Sequence, residues 1–87
     1  MQIKSGTYRH YKGQNYQVLG VVRHSETEEA LVVYRCLYGD RSWWTRPLTM
    51  FTEQVEISGE SVPRFEFIEA GPSFEQLVSF DQSVGEV

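Results

Sequence analysis

The chain has 87 residues, a formal net charge of −4 and a single cysteine, Cys36. This length indicates one domain, one cysteine excludes an intramolecular disulfide, and no apolar run approaches the roughly 18 residues of a membrane-spanning helix. Because the N-terminal residues also lack the hydrophobic core of a secretory signal, the sequence predicts a soluble, cytoplasmic protein with no membrane partner.

The charges are divided unevenly along the chain. Residues 1–46 carry seven Lys/Arg against four Asp/Glu, a balance of +3, whereas residues 47–87 carry one arginine against eight acids, a balance of −7, and the two sum to −4. This division is typical of a basic face beside an acidic end. It is equally consistent with a solvated surface of uneven charge.

Strand patterns dominate the first half. Aromatic and cationic residues alternate in TYRHY (7–11), and a turn follows because Gly13 can adopt a positive φ. NYQVLGVVRH (15–24) and LVVYRCLY (31–38) are rich in β-branched and aromatic residues and are separated by a polar connection. They predict an antiparallel pair at the centre of a sheet.

The pattern changes after the third strong strand signal. WWTR (43–46) predicts a strand that Pro47 ends. Residues 47–55 predict one short helix or 3₁₀ turn, because proline is favoured in the first helical turn. Residues 55–68 predict a strand, a glycine turn and a second strand, and residues 73–80 carry apolar side chains at helical spacing.

These elements predict a mainly β fold. Five or six short strands with one short helix or 3₁₀ turn are typical of a small SH3-like barrel or of a strongly curved antiparallel sheet. We assign residues 1–70 to this single domain. Residues 71–87 are predicted to be an appended short helix or a flexible tail.

Several motifs together resemble those of a small bacterial family known as domain of unknown function 1653. The matching segments are YRHYKG (8–13), YQVLGVVRHSET (16–27), LVVYRCLYG (31–39), WTRPLTMF (44–51) and VPRF (62–65). They cover residues 6–68 in order and nearly without gaps. The resemblance implies a small soluble β domain and assigns it no biochemical role. Trp44 matches the tryptophan of the family's W-x-R-P-L motif, whereas Trp43 and the tail from Gly71 onward lie outside the pattern.

The segment YRHYKG is a candidate binding surface. On a strand, Tyr8 and His10 share one face, and Arg9 and Tyr11 share the other. Aromatic and cationic residues interleaved in this way are typical of proteins that bind single-stranded nucleic acid. The alternative is that one face joins the core while the charged groups are solvated.

His24 and Glu26 suggest a second kind of site. A carboxylate near an imidazole can fix the tautomer and raise the pKa, as a catalytic pair requires. The alternative is that His24 hydrogen-bonds the turn that follows its strand. Because no third ligand is evident, no metal site is predicted.

The adjacent tryptophans must point to opposite faces of their strand. We predict that one indole, Trp44 by its match to the family motif, lies in the core and that Trp43 is at least partly exposed. Arg35 lies in an otherwise apolar row of its strand and must reach a partner or the rim. Cys36 is predicted to be a buried structural cysteine.

The function that these patterns favour is a non-catalytic recognition module with a surface of aromatic and cationic residues. The candidate ligand-binding residues are Tyr8, His10, Arg23, His24, Tyr34, Arg35, Trp44 and Arg46. Since they cannot all share one face, the pairs Tyr8/His10 and Trp44/Arg46 are the favoured subsets. Suitable partners are a nucleotide, a nucleic acid or an acidic peptide, and no cofactor is predicted. The alternatives are a small enzyme or regulator that uses His24 with Glu26, and an adaptor that docks a partner or forms a homodimer through the tail.

Overall fold

A computed structural model of the protein describes residues 3–74. The described chain is mainly β, as predicted. Its elements are β1 (Gly6–His10), β2 (Asn15–Arg23), β3 (Ala30–Cys36), β4 (Trp43–Pro47), α1 (Leu48–Phe51), β5 (Gln54–Ile57), β6 (Glu60–Pro63) and β7 (Phe65–Ala70).

The strands form two antiparallel sheets. The larger sheet has the order β4-β3-β2-β1-β7, and β5 pairs with β6 in a separate two-stranded sheet. The prediction of an antiparallel pair at the centre is confirmed, because β2 is the middle strand and pairs with β3 from Tyr16↔Cys36 to Arg23↔Ala30. Central strands need apolar residues on both faces, which is the pattern that identified them.

The larger sheet is open. Within residues 3–74 it ends at β4 on one side and at β7 on the other, and neither sheet closes into a barrel. An antiparallel sheet therefore describes the fold, and the SH3-like barrel is not confirmed.

The region after β4 contains the predicted short helix. It is α1, four residues within the predicted range 47–55, and the next strand begins at Gln54. This strand belongs to a tight hairpin in which Ser58 and Gly59 have φ values of 52° and 83°. Positive φ at both central residues is characteristic of the type I′ turn, which suits two-residue hairpins. The strand, glycine turn and second strand predicted over residues 55–68 thus correspond to β5, the turn at Gly59, and β6 with β7.

The core lies between one face of the large sheet and α1. Its buried members are Tyr8, Val18, Val32, Tyr34, Leu48, Phe51 and Phe65. The rings of Phe51 and Phe65 stack with centroids 4.1 Å apart and planes inclined by 4°. Buried Cys36 lies in β3, as predicted.

The end of the described chain lies against the sheet. The hydroxyl of Ser5 donates to the carbonyl of Gly71 at 3.0 Å, and the Phe74 ring lies beside Gly20. The remainder of the predicted helix over 73–80, and with it the homodimer through the tail, falls outside the described residues. Among the described residues, no helix is long and apolar enough to cross a membrane.

Candidate functional site

One end of the core face is built from aromatic rings. The ring centroid of Tyr16 lies 5.4 Å from that of Tyr34 and 5.6 Å from that of Phe65. The His10 imidazole lies 4.9 Å from the Phe65 ring in a T-shaped arrangement. The register of the strands explains this grouping. His10 of β1 lies opposite Phe65 of β7. Tyr16 of β2 lies opposite Cys36 of β3, two residues from Tyr34.

Cationic side chains surround these rings. The guanidinium carbon of Arg46 lies 5.5 Å from the Phe65 ring centroid. The corresponding carbon of Arg64 lies 5.9 Å from the Tyr11 ring, and Lys12 Nζ lies 5.8 Å from the same ring. The sheet and the hairpin thus bring together cations that are far apart in the sequence.

The electrostatic effect of this grouping is visible at His10. Burial, together with the positive charges of Arg46, Arg64 and Lys12, lowers the pKa of His10 below its usual value of 6.5. The imidazole is therefore neutral at pH 7, and its surroundings carry a positive potential that favours an anion.

The two guanidinium groups have unused hydrogen-bonding capacity. Arg64 forms one ion pair, with 3.6 Å between its Nη2 and Glu53 Oε2, and no other ion pair occurs within residues 3–74. The Nε atoms of Arg46 and Arg64 are buried and lack a hydrogen-bond partner in the described part of the chain. Buried donors are normally satisfied, so these two Nε–H groups are exceptions among the described residues.

Exposed rings border the cations. The hydroxyl groups of Tyr16 and Tyr38 are 2.7 Å apart, and this hydrogen bond raises the pKa of Tyr38. Trp44 lies opposite Tyr34 in the register of β3 and β4, and its Nε1 donates to Ser42 Oγ at 2.7 Å. A cleft of about 490 Å³ opens beside His10 and Tyr11, against the β5–β6 hairpin.

We call this region the aromatic–cationic surface. Its members are His10, Tyr11, Lys12, Tyr38, Trp44, Arg46 and Arg64. Arg64 was not among the candidate residues, although VPRF was among the motifs. The pattern predicted a strand that runs through this position, whereas Arg64 lies between β6 and β7. Tyr38, which follows the end of β3, was not among the candidates either.

The prediction that one indole lies in the core is wrong. Trp44 is 55% exposed and Trp43 is 48% exposed. Alternation correctly puts Trp44 on the same face as Arg46, but β4 is the edge strand of the sheet. The core contacts of that face go to Tyr34 and Val32, one strand further in.

The two predicted tyrosines lie in the core cluster. Tyr8 is 7% exposed, its hydroxyl donates to the Lys4 carbonyl at 2.7 Å, and burial raises its pKa. Tyr34 is 6% exposed. These residues support the aromatic–cationic surface from below rather than presenting a ring to solvent.

Arg23 and His24 lie at the other end of β2 from Tyr16. Arg23 Nη1 donates to the Glu28 carbonyl at 3.1 Å. His24 Nδ1 accepts hydrogen bonds from the backbone amides of Glu26 at 3.1 Å and Thr27 at 3.3 Å. His24 thus accepts a hydrogen bond from the backbone amide of Glu26, which corresponds to the turn interpretation of this histidine.

Arg35 lies on the opposite face of the sheet. Its guanidinium carbon lies 5.1 Å from the Trp43 ring centroid, and its Nε donates to the Arg41 carbonyl at 3.0 Å. The prediction that this residue reaches a partner is confirmed. Within residues 3–74, no group of three or more His, Cys, Asp or Glu side chains could hold a metal ion.

Comparison with known proteins agrees with the resemblance found in the motifs. The model of a protein family described as "Protein of unknown function (DUF1653)" matches residues 6–67. A crystal structure of a DUF1653 protein from Bordetella bronchiseptica is similar, with a TM-score of 0.73 and 38% sequence identity over 79% of this chain and 91% of that chain. No curated protein matches the chain. On the family match and this structural similarity, the protein belongs to the DUF1653 family.

Proposed function

We propose that this protein is a non-catalytic recognition module that binds single-stranded nucleic acid on the aromatic–cationic surface, with a nucleotide as the smallest ligand of the same chemistry. The observation that carries the proposal is the grouping of the half-buried guanidinium groups of Arg46 and Arg64 with Lys12 around His10. A phosphate group supplies several acceptor oxygens to guanidinium donors and matches their geometry.

The rings favour nucleic acid over an acidic peptide. Trp44, Tyr38 and Tyr11 are 55%, 39% and 36% exposed. The Tyr11 ring lies near Lys12 and Arg64, and Trp44 shares a face of β4 with Arg46. Bases stack on such rings while phosphates contact arginine and lysine. An acidic peptide would use the charges of this surface but would leave the rings largely without planar partners.

Recognition rather than catalysis is proposed because of the kinds of group present. The surface gathers donors and π faces, and its histidine is surrounded by cations that disfavour a second positive charge. A general base works best when a neighbouring carboxylate raises its pKa. Burial and the cations around His10 instead lower its pKa.

The test is calorimetric titration with oligothymidylate of about 10 nucleotides, a length suited to small single-strand binders. Arg46→Gln and Arg64→Gln should each weaken binding about tenfold or more, because hydrogen bonds to charged groups contribute about 1.5–3 kcal/mol. Arg23→Gln is the matched control, since Arg23 is exposed at the far end of β2 from Tyr16 and His10. Circular dichroism of each variant verifies that the strands are retained.

Two results would count against the proposal. One is equal binding by the Arg23→Gln and Arg46→Gln proteins, which would indicate contact with diffuse surface charge. The other is displacement of the oligonucleotide by polyglutamate at equal charge concentration, which would identify an acidic peptide as the preferred class of ligand.

A further inference from the structure

The free side of β4 is an unused strand edge. β4 pairs with β3 over Leu31↔Pro47 to Arg35↔Trp43, and among the described residues no strand pairs with its other side. Such an edge presents a row of backbone donors and acceptors that can pair with another chain.

The hydrogen bonds of β4 identify which backbone groups are free. The Ser42 carbonyl accepts from the Cys36 amide at 3.0 Å, so Ser42 faces β3. Backbone groups of successive residues alternate between the two sides of a strand. The amide and carbonyl of Trp43 and Thr45, and the carbonyl of Pro47, therefore point away from β3. Pro47 has no N–H, which is tolerated on an open side.

We propose that two copies of the chain associate by antiparallel pairing of β4 with β4 about a twofold axis at Thr45. In this register Thr45 exchanges two hydrogen bonds with the partner's Thr45. The Trp43 amide donates to the partner's Pro47 carbonyl, and the twofold axis repeats that bond. Each N–H on the free side of the strand thus finds an acceptor despite the proline.

Side-chain complementarity favours this register over its neighbours. It puts Trp44 opposite the partner's Arg46 on one face and Trp43 opposite the partner's Pro47 on the other. Moving the axis to Arg46 would put the two Arg46 side chains opposite each other, and like charges in that position are destabilising. Moving it to Trp44 would put Arg46 opposite the partner's Ser42 and would forfeit the contact between ring and cation.

Arg46 already lies against one aromatic ring on its own chain. Its guanidinium already lies 5.5 Å from the Phe65 ring centroid, and the partner's Trp44 would supply a second ring. Guanidinium groups stack on aromatic faces through their plane, which leaves the N–H groups at the edge free. The indole of Trp44 is held by Ser42 and that of Trp43 by Arg35. Rigid, exposed tryptophans are typical anchors of protein interfaces.

The association also extends the aromatic–cationic surface. Trp44 and Arg46 of the two copies become neighbours across the axis, so the partner contributes a ring to each site. A single nucleic-acid strand can then run from one copy to the other. The pairing itself needs no ligand, and it is tested without one.

Sedimentation equilibrium of the full chain, from about 10 μM to 1 mM, suits an interface smaller than the standard size. We expect the mass to rise from 10.1 kDa toward twice that value. Thr45→Asp and Thr45→Lys should each weaken association about tenfold or more, because each puts like charges at the axis. An equimolar mixture of the two variants should associate at least as well as the unsubstituted chain, because a carboxylate then lies opposite an ammonium group at the axis.

The matched controls are Thr49→Asp and Thr49→Lys, which put the same charges at an exposed position of α1. They should associate like the unsubstituted chain, alone or mixed. A chain that remains at 10.1 kDa throughout overturns the proposal. Association of the single Thr45 variants at full strength also overturns it, as does a mixture no better than its components, since either result excludes pairing of Thr45 with Thr45.

Discussion

His10 connects the charge of the aromatic–cationic surface to pH. Burial and the nearby cations lower the pKa of His10 in the folded state below 6.5, the value we take for the unfolded chain. Between these two pKa values the unfolded chain binds more protons than the folded one. The stability contributed by neutral His10 is therefore fully present above pH 6.5 and is lost as pH falls through the folded pKa.

Replacing this histidine should change the pH dependence of stability. We expect His10→Gln to reduce the loss of unfolding free energy between about pH 7 and pH 5. Urea unfolding of the unsubstituted chain and the variant, followed by circular dichroism, measures this difference. In proton NMR, the His10 pKa should rise when oligothymidylate is added, because phosphate stabilises the imidazolium. A His10 titration that is unaffected by saturating ligand would contradict the proposed site.

Phe65 and Trp44 should differ sharply in their effects on stability. Phe65 is 6% exposed and stacks on Phe51, so Phe65→Ala should lower the free energy of unfolding by about 3–5 kcal/mol. Trp44→Ala should lower it by less than about 1 kcal/mol, because more than half of that side chain is already in water. Chemical denaturation at low protein concentration compares them. Equal losses would show that Trp44 belongs to the core after all.

At the scale of elements, Gly6 permits the pairing of β1 with β7. Its φ is 146°, and a Cβ atom at this position would overlap the carbonyl oxygen of Glu69. Gly13 also has a positive φ, 108°, but a Cβ atom there meets nothing within 4 Å. A comparison of substitutions at the two glycines therefore separates the cost of backbone strain from the cost of steric overlap.

Alanine substitutions at these glycines test the close approach. Gly13→Ala should cost about 1–2 kcal/mol, the strain of a non-glycine residue in this conformation. Gly6→Ala should cost a further 1–3 kcal/mol or so, because β7 must move away from β1. Thermal unfolding measures the difference. If the two variants have the same melting temperature, β7 adapts to the added methyl group with little loss of stability.

The position of β2 and β3 determines which amides are best protected. We expect backbone amides of residues 18–22 and 32–36 that bond within the sheet to exchange most slowly with solvent, because β2 is paired on both sides and β3 lies next to it. Amides of the β5–β6 hairpin should exchange much faster, since a two-stranded sheet is marginal by itself. Hydrogen exchange followed by NMR compares these groups, and the reverse order would contradict the topology.

The sequence predicts which face of a strand a side chain occupies better than it predicts whether that side chain is buried. Alternation correctly grouped Trp44 with Arg46 and identified the four strands before α1, because each side chain's face follows from local geometry. Whether that face is covered depends on the place of the strand in the sheet, which is a tertiary property, and β4 is the edge strand. This is why Trp44 was assigned to the core and is exposed.

The candidate site was predictable only in part. His10, Trp44 and Arg46 were selected because aromatic and cationic residues alternate around them. Arg64 was not, because its main chain bridges Glu53 and Tyr11 outside the regular strands, through hydrogen bonds of 3.0 Å and 2.9 Å. The long-range pairing of β1 with β7, which puts His10 opposite Phe65, brings this cation to His10.

At the scale of the whole molecule, an acidic chain carries a local excess of positive charge. The net charge of −4 opposes nonspecific attraction to polyanions, so binding should rely on the cations of the aromatic–cationic surface. Each phosphate neutralised on a single strand contributes about −0.7 to the slope of log affinity against log salt. Contacts from Lys12, Arg46 and Arg64 predict a slope of about −2 on this basis.

Titrations at several salt concentrations measure this slope. Arg46→Gln should make it less steep by about 0.7, while Arg23→Gln should leave it unchanged. A slope near zero would show that phosphate contacts contribute little to binding. A slope that Arg23→Gln and Arg46→Gln reduce equally would show that the ligand contacts cations along the whole sheet rather than the aromatic–cationic surface.

The fluorescence of the two exposed tryptophans should respond weakly to unfolding of the chain and strongly to anything that covers β4. Indole emission moves to longer wavelengths when water reorients around the excited ring. Because Trp43 and Trp44 are both about half exposed in the folded chain, their emission should change little when the chain unfolds. Trp43→Phe leaves Trp44 as the only indole, and a shift of its emission to shorter wavelengths then signals dehydration of this one edge, whether by a second chain or by a base.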